Sequence, residues 1–228
     1  MSLPLNFKDA LFLAVCLITY NLLLGQNQLD ESVEQDSVSD SQKSVIFDLG
    51  LYQPIPIENS NVGKATEGKL SFKLGVQVFV YKHFFIGGFY DSAYLNVIDQ
   101  DLVGRYNKST VTSFYLQLGY EQKIVDNLFL AVSCAPIGAV NYKNIIDRDR
   151  IEQQSDNARL MQYGLCLSYN ISKNIALYID YSFRNDNTKI ETAPDIQGDF
   201  DKIQYHNIGF GIRFFGGNKD AISSIRNP

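Results

Sequence analysis

Tryptophan is absent from this 228-residue sequence, and histidine, methionine, cysteine and proline are scarce, at 2, 2, 3 and 6 residues. The two histidines, His83 and His206, are the whole supply of imidazole for acid–base or metal chemistry. Of the three cysteines, Cys16 falls in an N-terminal segment read below as removed. Cys134 and Cys166 remain, too few for a disulfide framework, and they read as small packing residues. Positive charge is not in excess, since the formal net charge is −5, so nucleic acid is not an expected partner. From Ser44 onward no apolar run approaches the length of a membrane helix and no window keeps a helical period. The aromatic content rests on 14 Tyr and 15 Phe.

The one long apolar run is at the start. Lys8 precedes an apolar stretch from Ala10 to Leu24, and small Gly25 stands before polar Gln26. That is the anatomy of a secretory signal peptide over residues 1–25. A membrane anchor helix is the alternative; a lipoprotein signal fits less well, because bulky Val15 precedes Cys16 and the apolar run continues past it. Residues 26–43 are acidic, rich in Ser and Gln and without aromatics. Such a stretch cannot bury enough surface to order itself and reads as a flexible leader.

What the rest of the chain has is alternation of period two. In Leu70–Tyr81 every even position is apolar (Leu70, Phe72, Leu74, Val76, Val78, Val80), whereas the odd face carries Lys73, Gly75 and Gln77. Seven further segments follow the same rule or an approximation of it. The first, 44–53, sets Val45, Phe47, Leu49 and Leu51 against Asp48 and Gly50. The fourth sets Phe114, Leu116, Leu118 and Tyr120 against Ser113, Gln117, Gly119 and Glu121. The fifth, sixth and seventh begin near 127, 161 and 175, and the last sets Ile208, Phe210, Ile212 and Phe214 against Asn207, Gly209, Gly211 and Arg213. The third, 84–97, is ambiguous in phase. Tight turns at 82–83, 123–127 and 171–174 alternate with long polar links near 54–68, 98–109, 143–157 and 187–201.

Eight alternating segments with short turns at one end and long loops at the other predict an all-β fold: an eight-stranded antiparallel up-and-down transmembrane β-barrel over residues 44–215, with 216–228 as a C-terminal tail. A secreted soluble barrel of the lipocalin kind has the same strand number but inverts the faces. Here the polar faces are Gly, Ser, Gln and scattered single charges, sparse for a solvated surface, and the apolar faces are uniformly large with tyrosines toward segment ends. The membrane reading is the expectation. The even face of Leu70–Tyr81 then meets lipid, while Lys73 and Gln77 point inward.

In architecture, residues 44–215 resemble the small eight-stranded outer-membrane barrels of Gram-negative bacteria, the OmpA/OmpX-type transmembrane domains. The turn chemistry and loop style look closest to such proteins of Bacteroidetes-like bacteria. The resemblance implies an outer-membrane location, lipid as surroundings, and a last strand read by the barrel assembly machinery. Asn207, Gly209, Ile212 and Phe214 occupy that family's terminal pattern, with Ile212 departing from the aromatic preference and a tail following Phe215.

A barrel of eight strands is wide enough only for side chains to fill it. The inward faces carry Asp48, Lys73, Gln77, Gln117, Glu121, Asp180, Arg184 and Arg213, so acids and bases balance and a paired lumen charge network is expected. If loop one is centred near residues 60–61, Asp48 and Lys73 stand opposite each other and pair, or share a partner such as Arg213; an asymmetric loop slips the register by two residues, which keeps both on the inward face and makes the contact diagonal. The expected role is structural, binding or accessory, with a plugged lumen and loops presented outside. A narrow gated channel is one alternative. The other is a lipid-modifying hydrolase of the lipid A deacylase kind, which needs a base beside a serine; there His206 meets Tyr181 where a serine would be required. No cofactor is expected. The loop-four acids Glu191, Asp195, Asp199 and Asp201 lack the dense spacing of a calcium loop. The alternating signs of Asp147, Arg148, Asp149 and Arg150 in loop three suit either a self-paired surface or a contact site. Other envelope proteins could be met through the loops or the leader.

Overall fold

The computed structural model describes residues 43–145, 153–217 and 221–222. The signal peptide, all but the last residue of the leader, the loop-three charges 147–150 and most of the tail lie outside the described residues.

Eight antiparallel strands close into a barrel in sequence order, β1 (Val45–Pro56), β2 (Thr66–Tyr81), β3 (Phe84–Val97), β4 (Lys108–Val125), β5 (Leu128–Ile145), β6 (Gln153–Asn170), β7 (Ile175–Thr188) and β8 (Lys202–Gly216). β8 pairs with β1 from Gly216↔Val45 to Tyr205↔Pro56, which removes any free edge. Closure satisfies the backbone without water, as a hydrocarbon setting demands. At one end the turns are tight: Lys82 and Asn127 adopt φ of 47° and 65° in two of them. The other end carries two short helices, α1 (Asn61–Ala65) and α2 (Gln100–Val103), and a 3₁₀ turn at Gln197–Asp199.

Side-chain phase follows the alternation. Leu74, Val76 and Val78 are exposed on the outer wall and Gln77 is buried inside. The same holds for Phe114, Leu116 and Leu118 against Ser113 and Glu121, and for Ile208, Phe210 and Phe214 against Asn207 and Arg213. This apolar outer run covers about seven residues on β1, β4 and β8 and about nine to eleven on the other strands, close to the span of a tilted membrane strand. β3 resolves with Phe85, Phe89, Asp91 and Leu95 inward and Phe84, Ile86, Tyr90 and Tyr94 outward.

Two expectations are corrected. The strands reach well beyond the apolar segments: β4, β5 and β6 have 18 residues each. Residues 54–56, 66–68, 108–109, 143–145, 153–157 and 187–188 are therefore strand, where the sequence reads as polar link. The extra length runs out of the apolar band, so its outer wall is polar and its hydrophobic residues turn inward. Second, Asp48 faces Gly75 and Lys73 faces Gly50, two residues away from the direct opposition expected. Loop one is not symmetric: α1, capped by the Ser60 hydroxyl accepting from Gly63 N (3.0 Å), and a bulge between Lys69 and Phe72 both sit on its β2 side.

Candidate functional site: the barrel lumen

Inward-facing residues on opposite walls meet across the lumen in two layers. Toward the tight turns, Arg213 (β8) donates from Nε to Asp48 Oδ1 (2.9 Å) and from Nη1 to Glu121 Oε2 (3.0 Å) and Ser168 Oγ (3.4 Å). Gln77 Nε2 donates to the second oxygen of Asp48. Lys73 (β2) crosses to Asp180 (β7) rather than to Asp48, because the register puts Asp48 next to β8 and its arginine. The Tyr178 ring lies between the Lys73 ammonium and the Arg213 guanidinium, 5.2 Å from each. Lys43, the last residue of the leader, enters the same end. It donates to Asn170 (3.2 Å), lies 4.0 Å from Glu121, and stands over the rings of Phe215 and Phe129 at 3.6 and 4.2 Å. This layer holds Asp48, Glu121 and Asp180 against Lys43, Lys73 and Arg213, a charge balance that suits burial.

Toward the loops, Arg184 grips Asp186, two residues on along β7, with Nε to Oδ1 and Nη2 to Oδ2 both at 2.8 Å, and reaches Asp91 of β3 from Nη1 at 3.3 Å. Tyr142 donates to Asp186 (2.6 Å) and meets the Tyr205 hydroxyl at 3.1 Å. All five side chains are buried. Above them a hydrophobic cluster includes Leu95, Val111, Val140, Leu160 and Ile203, capped from the loops by Val62 of α1 and Phe200. Loop two contributes buried Tyr106, whose phenol is pushed up to about 12, chiefly by burial and further by the nearby Asp156 carboxylate. It stays a neutral donor at any physiological pH.

Between the layers is a cavity of about 40 Å³, room for about two or three waters. Gln77 Oε1, Tyr178 Oη and Asp180 Oδ1, all from residues lining it, have no hydrogen-bond partner among the described residues.

The inward glycines have a steric reason. A Cβ at Gly119 would collide with the Phe85 ring, one at Gly50 with Tyr178, and one at Gly211 first with the β1 backbone at Leu49 and Gly50 and then with Tyr178. The aromatic residues inside lie flat on bare backbone, which lets large rings fill a narrow barrel.

All six expected members of the lumen network, Asp48, Lys73, Glu121, Asp180, Arg184 and Arg213, therefore point inward, divided between two layers. Asp91, Asp186, Tyr142 and Tyr205 complete the second layer and were not anticipated. Asp91 lies on the strand of unclear phase, and Asp186 beyond the apolar part of β7. Gln117 lines the cavity. Of the terminal-strand residues, Asn207 is inward and donates to Ser182 Oγ (3.2 Å), Gly209 passes close beside Asp180, and Ile212 and Phe214 face outward.

His206 lies on the outer wall of β8. Its Nδ1 is 2.8 Å from Tyr181 Oη, and its ring neighbours those of Tyr181 and Phe183. Ser182 points into the barrel, on the other side of the wall. His83 is in a tight turn, 5.5 Å from the Tyr120 ring. Cys166 shares the inward phase of its register partner Ala131, while Cys134 is three residues on from Ala131 and faces out; both thiols are free.

No protein-family model and no curated protein matches the sequence. Among solved structures the chain is similar to Neisserial surface protein A, at 8% identity over 75% of this chain and 96% of that one, with a TM-score of 0.56. It is also similar to the outer membrane protein OprG from Pseudomonas aeruginosa, at 10% identity over 78% and 97%, with a TM-score of 0.49. The first likeness, with the closed antiparallel order of strands, makes the fold that of a small eight-stranded outer-membrane β-barrel.

Proposed function

We propose that this barrel is a non-catalytic outer-membrane protein with a plugged lumen, serving a structural, binding or accessory-subunit role through the loops it presents outside. The observation that supports the reading best is the pair of stacked cross-lumen networks. Arg213 ties β8 to β1 and β4, and Arg184 ties β7 to β3, with Tyr142, Tyr205 and a hydrophobic cluster above. An ion crossing the barrel has to break these contacts, and each exposes a buried charge at a cost of several kcal/mol. On this reading the partners are outer-membrane lipid around the apolar band, the assembly machinery at β8, and other envelope proteins at the loops or leader.

The test is planar-bilayer recording on the folded full-length protein. Baseline current with inserted barrels is expected. Steady ohmic conductance from each inserted barrel would overturn the plugged reading and favour a channel.

A further inference from the structure

The whole chain is acidic, yet the outer wall of the strands above the apolar band is not. Residues there with outward phase include Lys69, Lys108, Lys143, Arg159 and Lys202; among the described strand residues Glu67 is the one acid on that wall, and it is committed to Lys69 at 2.7 Å. The acids of this end are elsewhere: in the loops, such as Asp99, Asp101, Asp195 and Asp199, or inside the barrel.

On β6, β7 and β8 this positive wall has an ordered vertical sequence. Arg159, Asn187 and Lys202 are exposed and occupy one rung, since Arg159 pairs with Asn187 and Asn187 with Lys202. Two strand spacings separate the cations, roughly 10 Å between backbones. Both side chains are long enough to converge on one group in front of Asn187. The next rung toward the membrane is neutral and rich in hydrogen-bonding groups: Gln204 donates to Asn185 (3.2 Å) and accepts from Asn59. Below it stand Tyr163, Phe183 and His206, and below those the apolar run of Leu165, Ile179, Ile208 and Phe210. Asp201, next to Lys202 in the chain, accepts from Gln197 Nε2 at 2.7 Å.

We propose that this face of β6–β8 binds the phosphate-bearing headgroup of a lipid in the leaflet at the loop end. The phosphate lies between Arg159 and Lys202, the ester or sugar portion against Asn185, Asn187 and Gln204, and the acyl chains along the apolar run. A lipid fits better than free phosphate because the cations stand directly above the apolar surface on the same three strands. Arg offers a planar fork and Lys a point charge, and both are established phosphate donors. The inference rests on the membrane-spanning reading of the barrel.

The test uses the full-length protein folded in non-ionic detergent micelles, with folding read as a heat-dependent shift on a detergent gel. Dioleoylphosphatidic acid is added and bound lipid counted by native mass spectrometry, with diacylglycerol of the same chains and inorganic phosphate as controls. One retained phosphatidic acid is expected. R159Q/K202Q should weaken it about 30-fold, the loss for two basic contacts near an anionic surface. K108Q/K143Q should leave it within about twofold. If R159Q/K202Q loses the heat-shifted band, K202Q alone should weaken binding about fivefold. Equal loss in K108Q/K143Q overturns the site in favour of a diffuse positive ring, and full competition by millimolar inorganic phosphate overturns the lipid as occupant. Failure of the wild-type protein to show the heat shift at all would instead count against the barrel reading.

Discussion

The two halves of this barrel are built on opposite rules. In the half nearer the tight turns, the outer wall is Leu, Ile, Val and Phe and the interior is Arg213, Asp48, Glu121, Lys73 and Asp180. In the half nearer the loops, the outer wall is Asn, Ser, Lys and Arg and the interior is Leu95, Val111, Val140, Leu160 and Ile203. The same eight strands run through both, so the difference is not one of backbone. It is a difference of solvent: lipid demands an apolar exterior, water a polar one, and the interior takes what remains. The Arg184–Asp186–Tyr142 layer is the ionic part of the interior nearest the change. The bulge at Ala135–Gly138 in β5, where Pro136 needs no donor partner, and the bulge at Lys69–Phe72 in β2 fall close to it.

The largest test of this comparison strikes the ionic interior. Arg213→Met leaves Asp48 buried without its cation and Glu121 with Lys43 at 4.0 Å, and should cost about 3–5 kcal/mol in denaturant titrations of the barrel in lipid vesicles. Adding Asp48→Asn and Glu121→Gln should recover most of the loss. If the triple variant is as unstable as the single one, the network is not what holds that half together.

The loop-side interior should behave like the core of a soluble protein. Leu160 is 2% exposed within the hydrophobic cluster, so Leu160→Ala should cost about 2–5 kcal/mol in the same titration. A loss below about 1 kcal/mol would mean the projecting strands are not a packed core. The outer walls give the next contrast. Val76→Arg places a charge against hydrocarbon and should cost about 2–4 kcal/mol, whereas Thr110→Arg, on the outer wall of the projecting part of β4, should stay within about 0.5 kcal/mol. Equal costs at the two positions would erase the boundary between the halves.

The membrane half was legible in the sequence because lipid makes a one-sided demand. A residue such as Val76 or Phe114 has no polar alternative, so the alternation is strict and phase follows. β3 resisted because aromatic residues occupy both of its faces: Phe84 meets lipid, and Phe85 lies on the bare backbone of Gly119, its register partner on β4. That reason is on another strand, out of reach of any local pattern. The loop-side half reads as polar link because its apolar residues alternate weakly with Asn, Ser and Thr, and the bulge in β5 shifts the parity midway. Its ion layer went unseen with it: Asp186 looks like a loop acid until β7 is known to continue to Thr188. The charges of the turn-side lumen were legible as a set, yet their partners were not. Which acid meets which base depends on a two-residue register set by α1 and the β2 bulge.

The smallest expected effect locates the boundary most closely. Glu67 and Lys69 form an ion pair at 2.7 Å on the outer wall of β2, and Leu70, the next residue, is 58% exposed on the apolar side of the bulge. If water bathes Glu67 and Lys69, the pair is an ordinary surface contact between long, half-exposed side chains. A double-mutant cycle with Glu67→Gln and Lys69→Gln should then give a coupling below about 1 kcal/mol that shrinks further as salt is added. If lipid reached that height instead, neither charge could be screened, and removing one would strand the other against hydrocarbon. The coupling would rise to several kcal/mol and ignore salt. The first outcome fixes the edge of the membrane between Lys69 and Leu70. The second moves it up the barrel, and would put the Arg159–Lys202 rung and its proposed phosphate too deep to hold a headgroup.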